Sequence, residues 1–151
     1  MNPRLIALAV GVAVVILDQL TKWWALEALE DGPIVIIEDV LQLRITFNSG
    51  AAFSLFSGGG PWLGLLAIGI VVLIFAVVRD ASHRLDAVAL GLVLGGAVGN
   101  LLDRIFRAEG LLDGEVIDFV DPSFFATFNV ADSAITVGVI LLLAGALLRR
   151  S

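Results

Sequence analysis

Carboxylates are the side chains of this chain best suited to chemistry, because most other reactive groups are missing. There is no cysteine, which excludes a disulfide, a thiolate metal site and a cysteine nucleophile. The single histidine, His83, lies in a polar stretch typical of a short loop, and HExxH zinc chemistry needs two histidines. The net charge is −6 and no basic stripe is present, so we expect no nucleic-acid partner. Any side-chain chemistry is therefore expected to use aspartates and glutamates as general acids and bases.

These carboxylates must be held by membrane helices, since the composition is too apolar for a soluble domain. Of the 151 residues, 59% are apolar and 16% are charged, against about 25% charged in an average soluble domain. This composition excludes a multidomain enzyme, a disordered chain and a coiled coil. A membrane span needs about 20 residues, so four spans use about 80 and leave about 70 for loops. We expect a small polytopic membrane protein with a single domain over residues 1–151.

Four apolar stretches are predicted to be transmembrane helices, at residues 5–26, 61–78, 85–102 and 131–148. Trp23 and Trp24 stand where a cleaved signal sequence would need small residues, so we expect the first span to be retained. Basic residues set the orientation, and they favour cytoplasmic N- and C-termini with outer loops at 27–60 and 103–130. The basic residues on the predicted inner side are Arg4, Arg79, Arg84, Arg149 and Arg150.

The first outer loop contains the pattern of a β-hairpin. Residues 41–47 alternate strictly in polarity, which is the period of a half-buried strand. Residues 33–37 form a second apolar run, and Glu38 and Asp39 are suited to the turn between them. A glycine-rich break at 57–60 precedes the second span, and the third loop is too polar and glycine-rich to assign. We therefore expect an all-α integral membrane fold of four transmembrane helices, with a small extracytoplasmic β-hairpin or sheet on the outer membrane surface.

Three of the spans place carboxylates at one depth. A helix rises about 1.5 Å per residue, so Asp18 lies about 21 Å from the inner end of its span, Asp103 about 28 Å and Asp132 about 25 Å. In a hydrocarbon layer of about 30 Å these positions lie in the outer leaflet, whereas the inner halves of the spans are apolar. Because ionisable residues inside a membrane are costly, their convergence indicates a functional site.

Each of these residues also has a structural explanation. Asp18 and Lys22 are four apart on one helix face, which suits an ion pair with Lys22 reaching outward to the interface. Asn129 followed by Asp132 suits a helix N-cap with an acid near the positive end of the helix dipole. Asp103 and its neighbour Arg104, at a helix end, suit an ion pair of zero net charge on the surface. None of these explanations accounts for the common depth.

Two further patterns concern the outer end of the bundle. Asp118 interrupts an apolar run, and such an acid is usually hydrogen-bonded or functional, with a pKa that can be raised. Small residues recur every four positions along the third span, which lets another helix approach closely. These small residues are Ala87, Gly91, Gly95 and Gly99. We expect this packing to bring acids on different helices together.

The polar residues lie in five blocks that together resemble the lipoprotein signal peptidase (signal peptidase II) family. In chain order the blocks are DQLTK at 18–22, NSGAAF at 48–53, GGAVGNLLDR at 95–104, VIDF at 116–119 and FNVADS at 128–133. Any one block is weak, but all of them in the family's order on four spans are highly specific. The resemblance implies an intramembrane aspartic endopeptidase that removes the signal peptide of bacterial prolipoproteins before a diacylglyceryl-modified cysteine.

The resemblance also implies which residues form the site. It places the catalytic pair on Asp118 and Asp132, with Asp103 in reserve as a partner. The residues expected to bind substrate or support the site are Asp18, Lys22, Asn48, Gly50, Asn100, Asp103, Arg104, Asn129 and Ala131. No metal and no cofactor are expected.

The same resemblance implies a location and partners. We expect a monomeric multi-pass protein of the bacterial cytoplasmic (inner) membrane, with its site at the outer leaflet. Its expected partners are lipid-modified prolipoproteins and membrane lipids.

A small transporter or proton-relay subunit is the alternative function, since membrane acids can relay protons or bind cations. Such a pathway also needs polar groups near the inner side, and none of the spans supplies them. A purely structural membrane subunit would need neither Asp118 nor the converging acids.

Overall fold

Helices and strands make up most of the part of the chain that this computed structural model describes, namely residues 2–50, 60–78, 83–107, 112 and 114–149. In chain order the elements are α1 (Pro3–Ala28), β1 (Ile34–Ile37), β2 (Leu41–Asn48), α2 (Gly60–Val78), α3 (Arg84–Phe106), β3 (Val116–Pro122) and α4 (Val130–Leu148). Parts of some predicted features lie outside the described residues: positions 51–53 of the second block, the break at 57–59, and Arg79 and Arg150.

The helices coincide with the predicted spans to within a few residues. α1, α3 and α4 are long and apolar enough to cross a membrane, and α2 adds a shorter apolar stretch, Gly64–Val78. A mainly helical membrane fold is thus confirmed. The number of spans and the side on which the termini lie remain predictions.

Local signals explain where the first and last helices begin. Asn2 caps α1 by accepting a hydrogen bond from the backbone N–H of Arg4 at 3.0 Å, and Pro3 occupies the first turn, where its missing N–H has no cost. Asn129 and Asp132 form a capping box at the start of α4, each side chain accepting from the other's backbone N–H. The predicted N-cap of the last span is therefore confirmed.

α3 is the central helix of the bundle and packs against α1, α4 and α2. Its glycines make this possible: a Cβ on Gly95 would lie 2.6 Å from the carbonyl oxygen of Gly11 and 2.7 Å from the Cβ of Val14. On another face, a Cβ on Gly96 would collide with the carbonyl oxygen of Ala131 on α4. The predicted close approach of other helices to the third span is confirmed.

The sheet has the order β1-β2-β3 with antiparallel pairing throughout. The predicted hairpin of β1 and β2 is present, and Asp39 in its turn takes a positive φ of 58°. The third strand, β3, was not predicted. Its pairing with β2 brings Asp118 opposite Thr46. Its pairing partner lies far away in the chain and its own pattern is broken by an acid, so no local periodicity indicated a strand.

The sheet docks on the end of α1 through a small apolar cluster. Ala25 and Leu29 at the end of α1 pack against Ile117 and Phe119 of β3, and all four side chains are buried. Because Lys22 lies one turn before Ala25, this docking holds β3 over the polar residues of the helices.

Candidate active site

Asp118 lies almost completely buried at the junction of the sheet and the helices, with 1% of its surface exposed. Its Oδ2 accepts a hydrogen bond from Nδ2 of Asn48 at 2.9 Å, and its Oδ1 accepts one from Nδ2 of Asn129 at 2.7 Å. The β2–β3 pairing supplies the first donor, and the turn leading into α4 supplies the second. The expectation that Asp118 is hydrogen-bonded is confirmed.

Asp132 lies in the first turn of α4 and has a donor for each carboxylate oxygen. Its Oδ1 accepts from Nδ2 of Asn100 at 2.8 Å, and its Oδ2 accepts from the backbone N–H of Asn129 at 3.2 Å. Capping alone accounts for the second contact only, because Asn100 lies on α3. Asp132 therefore joins the end of α3 to the start of α4.

The orientation of each asparagine amide follows from its remaining partners. Oδ1 of Asn48 accepts from the N–H of Gly50 at 2.8 Å, and Oδ1 of Asn129 accepts from the N–H of Asp132 at 3.0 Å. Oδ1 of Asn100 accepts from Nζ of Lys22 at 3.0 Å and from Nδ2 of Asn129 at 3.1 Å. Since these oxygens are occupied by donors, all three NH₂ groups are directed at a carboxylate.

Lys22 is completely buried, with 0% of its surface exposed. Its Nζ lies 2.9 Å from Oδ2 of Asp18 and 2.7 Å from Oδ2 of Asp103, besides its bond to Asn100. The predicted Asp18–Lys22 ion pair is confirmed, but the prediction that Lys22 reaches outward to the interface is wrong. A second carboxylate on α3 draws the ammonium group inward.

Asp103 and Arg104 are both buried, so the explanation of Asp103 as part of a surface pair is wrong. Asp103 also accepts from Nε of Arg107 at 2.9 Å and from the N–H of Ile117 at 3.2 Å, which ties α3 to β3. Arg104 donates to the carbonyl oxygen of Gly114 at 3.4 Å.

The remaining predicted residues support the backbone around the pair. The N–H of Ala131 donates to Oδ1 of Asp18 at 3.0 Å, which fastens the start of α4 to α1. Gly50 has a φ of 87° as its N–H turns back to Asn48, a conformation that favours glycine. The structure thus places the predicted site residues in one connected cluster.

Sequence reasoning missed Gln19 and Arg107. Nε2 of Gln19 lies 3.1 Å from Oδ2 of Asp18 and 3.2 Å from Oδ1 of Asp103, so it links the two acids from the side. Arg107 was detectable as a basic residue four positions after Asp103, the spacing of a helical ion pair. Gln19 was detectable only as a polar residue inside an apolar span.

Burial, with a smaller contribution from the nearby charge of Asp132, raises the pKa of Asp118 to about 6, against hydrogen bonds from Asn48 and Asn129 that favour the charged form. The predicted rise is confirmed. Asp121, on the same strand, behaves differently, because hydrogen bonds from Arg44 and Gln42 hold its pKa below its usual value. Two acids of β3 thus have opposite shifts, set by their surroundings.

A cavity of about 230 Å³ opens beside Asp132. Asn48, Asn100, Arg104 and Asp132 form its polar part, and Leu66 of α2 belongs to its apolar part. We refer to it as the amide-lined cavity. Among the described residues no group of three or more His, Asp or Glu side chains is arranged to hold a metal ion.

Comparisons with known proteins show which family this chain resembles. Residues 10–148 match the family described as Signal peptidase (SPase) II. A lipoprotein signal peptidase of Rhodococcus jostii is 44% identical over 140 residues, covering 92% of this chain and 71% of that protein. One of Streptomyces griseus is 46% identical over 136 residues, covering 89% of this chain and 69% of that protein. A solved structure of a bacterial membrane enzyme superposes with a TM-score of 0.80 at 31% identity, covering 93% of this chain and 92% of that one.

Proposed function

Since the chain belongs to the signal peptidase II family, we propose that it is a membrane protease that removes signal peptides from diacylglyceryl-modified prolipoproteins by aspartic catalysis. Asp118 and Asp132 are the catalytic pair in this proposal. The lipid-modified prolipoprotein is the substrate, and the site lies at the outer leaflet of the bacterial inner membrane.

The observation that carries the proposal is the shared support of the two aspartates. Asn129 donates to Asp118 through its side chain at 2.7 Å and to Asp132 through its backbone N–H at 3.2 Å. A single residue therefore fixes both carboxylates relative to each other. Rigid support of this kind is what a catalytic pair needs in order to hold a productive geometry.

The electrostatics suit a pair that shares one proton. The charge of Asp132 contributes to the raised pKa of Asp118, about 6, so the two groups are electrostatically coupled. Two coupled carboxylates lose their protons in separate steps, and the singly protonated state provides an acid and a base together. The proton belongs to the pair, so we assign neither role to one residue alone.

In the proposed reaction the ionised carboxylate takes a proton from a water molecule, which attacks the scissile carbonyl carbon. The protonated carboxyl donates its proton to the carbonyl oxygen, giving a tetrahedral intermediate. As the C–N bond breaks, the leaving amine receives a proton from the pair. The NH₂ groups of Asn48 and Asn100 are held toward the carboxylates and line the adjacent cavity, where they orient the peptide.

Asp103 is poorly suited to replace either member of the pair. Its oxygens already contact Lys22 at 2.7 Å, Arg107 at 2.9 Å and the N–H of Ile117 at 3.2 Å. Two cations and a backbone N–H stabilise the ionised form of this carboxylate, so it is unsuited to holding and donating a proton. We propose that Lys22, Asp18 and Asp103 position Asn100, which in turn contacts Asp132.

The proposed orientation follows from the position of the site in the helices. Asp103 and Asp132 lie near one end of their helices, Asp18 of α1 lies level with the start of α4, where it contacts Ala131, and β3 covers that end of the bundle. Arg149 and Asp86 form an ion pair at the opposite end, between the end of α4 and the first turn of α3. With both termini in the cytoplasm, the aspartates face the outer leaflet, where a lipid-anchored peptide meets water.

The experiment that tests the function uses the purified full chain in lipid nanodiscs with two substrates of identical sequence. One carries the diacylglyceryl group on its cysteine, and the other is unmodified. We expect cleavage before the cysteine in the modified substrate and little in the other, measured by mass spectrometry. Failure to cleave the modified substrate, together with proton flux in liposomes, would contradict the proposal and support the transporter alternative.

A further inference from the structure

A second cavity, of about 340 Å³, shares Asp132 with the amide-lined cavity. Among the described residues that line these two cavities, Asp132 alone lines both. The residues around the second cavity besides Asp132 are Phe125, Phe128, Ser133, Thr136 and Val137. We call it the phenylalanine cavity, and it runs from Asp132 along the next turn of α4.

The phenylalanine cavity offers few polar groups to an occupant. Phe125 and Phe128 form one wall, with ring centroids 6.4 Å apart in an edge-to-face arrangement. The hydroxyl of Ser133 is already used, since it donates to the carbonyl oxygen of Asn129 at 3.0 Å. The cavity thus presents mainly apolar surface, with the carboxylate of Asp132 at one end.

The two cavities differ in the chemistry that they can accept. Asn48, Asn100 and Arg104 line the amide-lined cavity, so it offers hydrogen-bonding groups to a polar occupant. A peptide that is not helical at membrane depth needs such partners, because unsatisfied backbone N–H and C=O groups are costly in hydrocarbon. Acyl chains need no hydrogen-bonding partners and suit an apolar cavity.

A substrate of the proposed function has two different parts on the two sides of the scissile bond. The signal peptide lies on one side, and the cysteine with its two acyl chains lies on the other. We propose, on the basis of that function, that the phenylalanine cavity receives the acyl chains of the diacylglyceryl cysteine while the amide-lined cavity receives the peptide. Asp132, which lines both cavities, then lies at the bond between the two parts.

The outer face of α4 supports this assignment. Val137 is 48% exposed, and Ile140, about one turn further along α4, is exposed as well. Acyl chains that enter the phenylalanine cavity can therefore continue along an apolar helix face into the bilayer. Phe125 in the wall of the cavity is 68% exposed, so it can cover the glyceryl end of the lipid.

The test measures cleavage kinetics with substrates of one peptide sequence that carry either long or short acyl chains. Wild-type protein is expected to show a lower KM for the long-chain substrate. Val137→Trp fills the cavity, so we expect it to raise KM for the long-chain substrate about tenfold or more and to abolish the preference. Phe125→Ala removes a wall and is expected to weaken the preference in the same direction.

Two matched variants serve as controls. Leu143→Trp introduces the same side chain on α4 at a position that is 61% exposed and outside the cavity, and it should keep the preference. Leu66→Trp obstructs the amide-lined cavity, and it should impair cleavage of both substrates equally. Thermal unfolding of each variant checks that it is folded.

The outcomes separate the two proposals. If wild-type protein cleaves neither substrate, the proposed function fails and the assignment of the cavity fails with it. If wild-type protein prefers long chains and both Val137→Trp and Phe125→Ala keep that preference, the assignment alone is wrong. A loss of the preference in Leu66→Trp instead would show that the acyl chains occupy the amide-lined cavity.

Discussion

Nδ2 of Asn129 lies 2.7 Å from Oδ1 of Asp118, so the residue that caps α4 also holds an aspartate of the sheet. The same residue contacts Asp132 through its backbone, and Oδ1 of Asn129 accepts from the N–H of Asp132 at 3.0 Å. Helix capping and support of the candidate catalytic pair are thus two tasks of one side chain, and they can be separated by mutation.

Asn129→Ser is expected to keep the cap and lose the contact with Asp118, because serine is a good N-cap but is shorter than asparagine. Asn129→Ala should lose both. We predict that both variants lose most of their cleavage activity, while Asn129→Ala is less stable than Asn129→Ser by about 1 kcal/mol. Activity on a lipidated substrate and unfolding in detergent measure the two effects. Substantial activity in Asn129→Ser would show that the contact with Asp118 is dispensable.

Lys22→Met is expected to destabilise the protein strongly, because it removes the cation that pairs with buried Asp18 and leaves buried Asp103 with Arg107 as its ion-pair partner. Removing one partner of a buried ionic cluster costs about 3–5 kcal/mol. As a control, Arg44→Met breaks the pair with Asp121, in which the Arg44 side chain is largely exposed, and should cost less than about 1 kcal/mol. Equal losses of unfolding free energy in the two variants would contradict this view of Lys22.

The dependence of kcat/KM on pH follows from the raised pKa of Asp118, about 6. Below that pH the pair of Asp118 and Asp132 holds the proton that it shares, and above that pH the free enzyme loses it. We therefore expect kcat/KM to fall as pH rises through about 6, since this parameter reports the ionisation of the free enzyme.

Asn48→Ala tests whether the pKa of Asp118 sets the fall of kcat/KM with rising pH, which we call the falling limb of the pH profile. The hydrogen bond from Asn48 favours the ionised form of Asp118, so its loss should raise the pKa and move the limb to higher pH. Gln42→Ala is the control on the same strand, because Gln42 donates to Asp121 rather than to Asp118. A limb that stays in place or moves to lower pH in Asn48→Ala would contradict the assignment.

Gly95→Ala is expected to separate α1 from α3, because the new Cβ would lie 2.6 Å from the carbonyl oxygen of Gly11. Overpacking of this kind costs about 1–3 kcal/mol, and the shift should also lower activity by moving Asp18 and Lys22. Gly69→Ala on α2 is the control, as its Cβ would meet nothing within 4 Å. That variant should be as stable as the wild type or more so, and a comparable loss in both would argue against the packing explanation.

The helices and the hairpin could be predicted from the sequence because their signals are local. Long, mainly apolar runs predicted α1 to α4, and strict alternation of polarity predicted β2. The strand β3 could not be predicted in this way, because it exists through pairing with β2, with Thr46 opposite Asp118, and both strands are distant in the chain.

The candidate site shows the same division. The common depth of Asp18, Asp103 and Asp132 followed from helical rise alone. In the structure Lys22 and Asn100 link these three aspartates. The direction in which the Lys22 side chain extends could not be predicted from helical rise. It depends on Asp103 of another helix, whose Oδ2 lies 2.7 Å from Nζ of Lys22. Nor could the role of Asn48 be predicted, since it reaches Asp118 only through the β2–β3 register.

The rate at which Asp118→Asn and Asp132→Asn cleave a diacylglyceryl-modified prolipoprotein is the most direct test of aspartic catalysis by this pair. Each substitution keeps the size of the side chain but removes an ionisable group, and we predict that each lowers kcat by about 10²–10⁴-fold. Asp121→Asn, on the same strand as Asp118 but paired with Arg44, should cleave at nearly the wild-type rate. With all three variants folded, near-wild-type cleavage by Asp118→Asn or by Asp132→Asn would show that the pair does not catalyse the reaction.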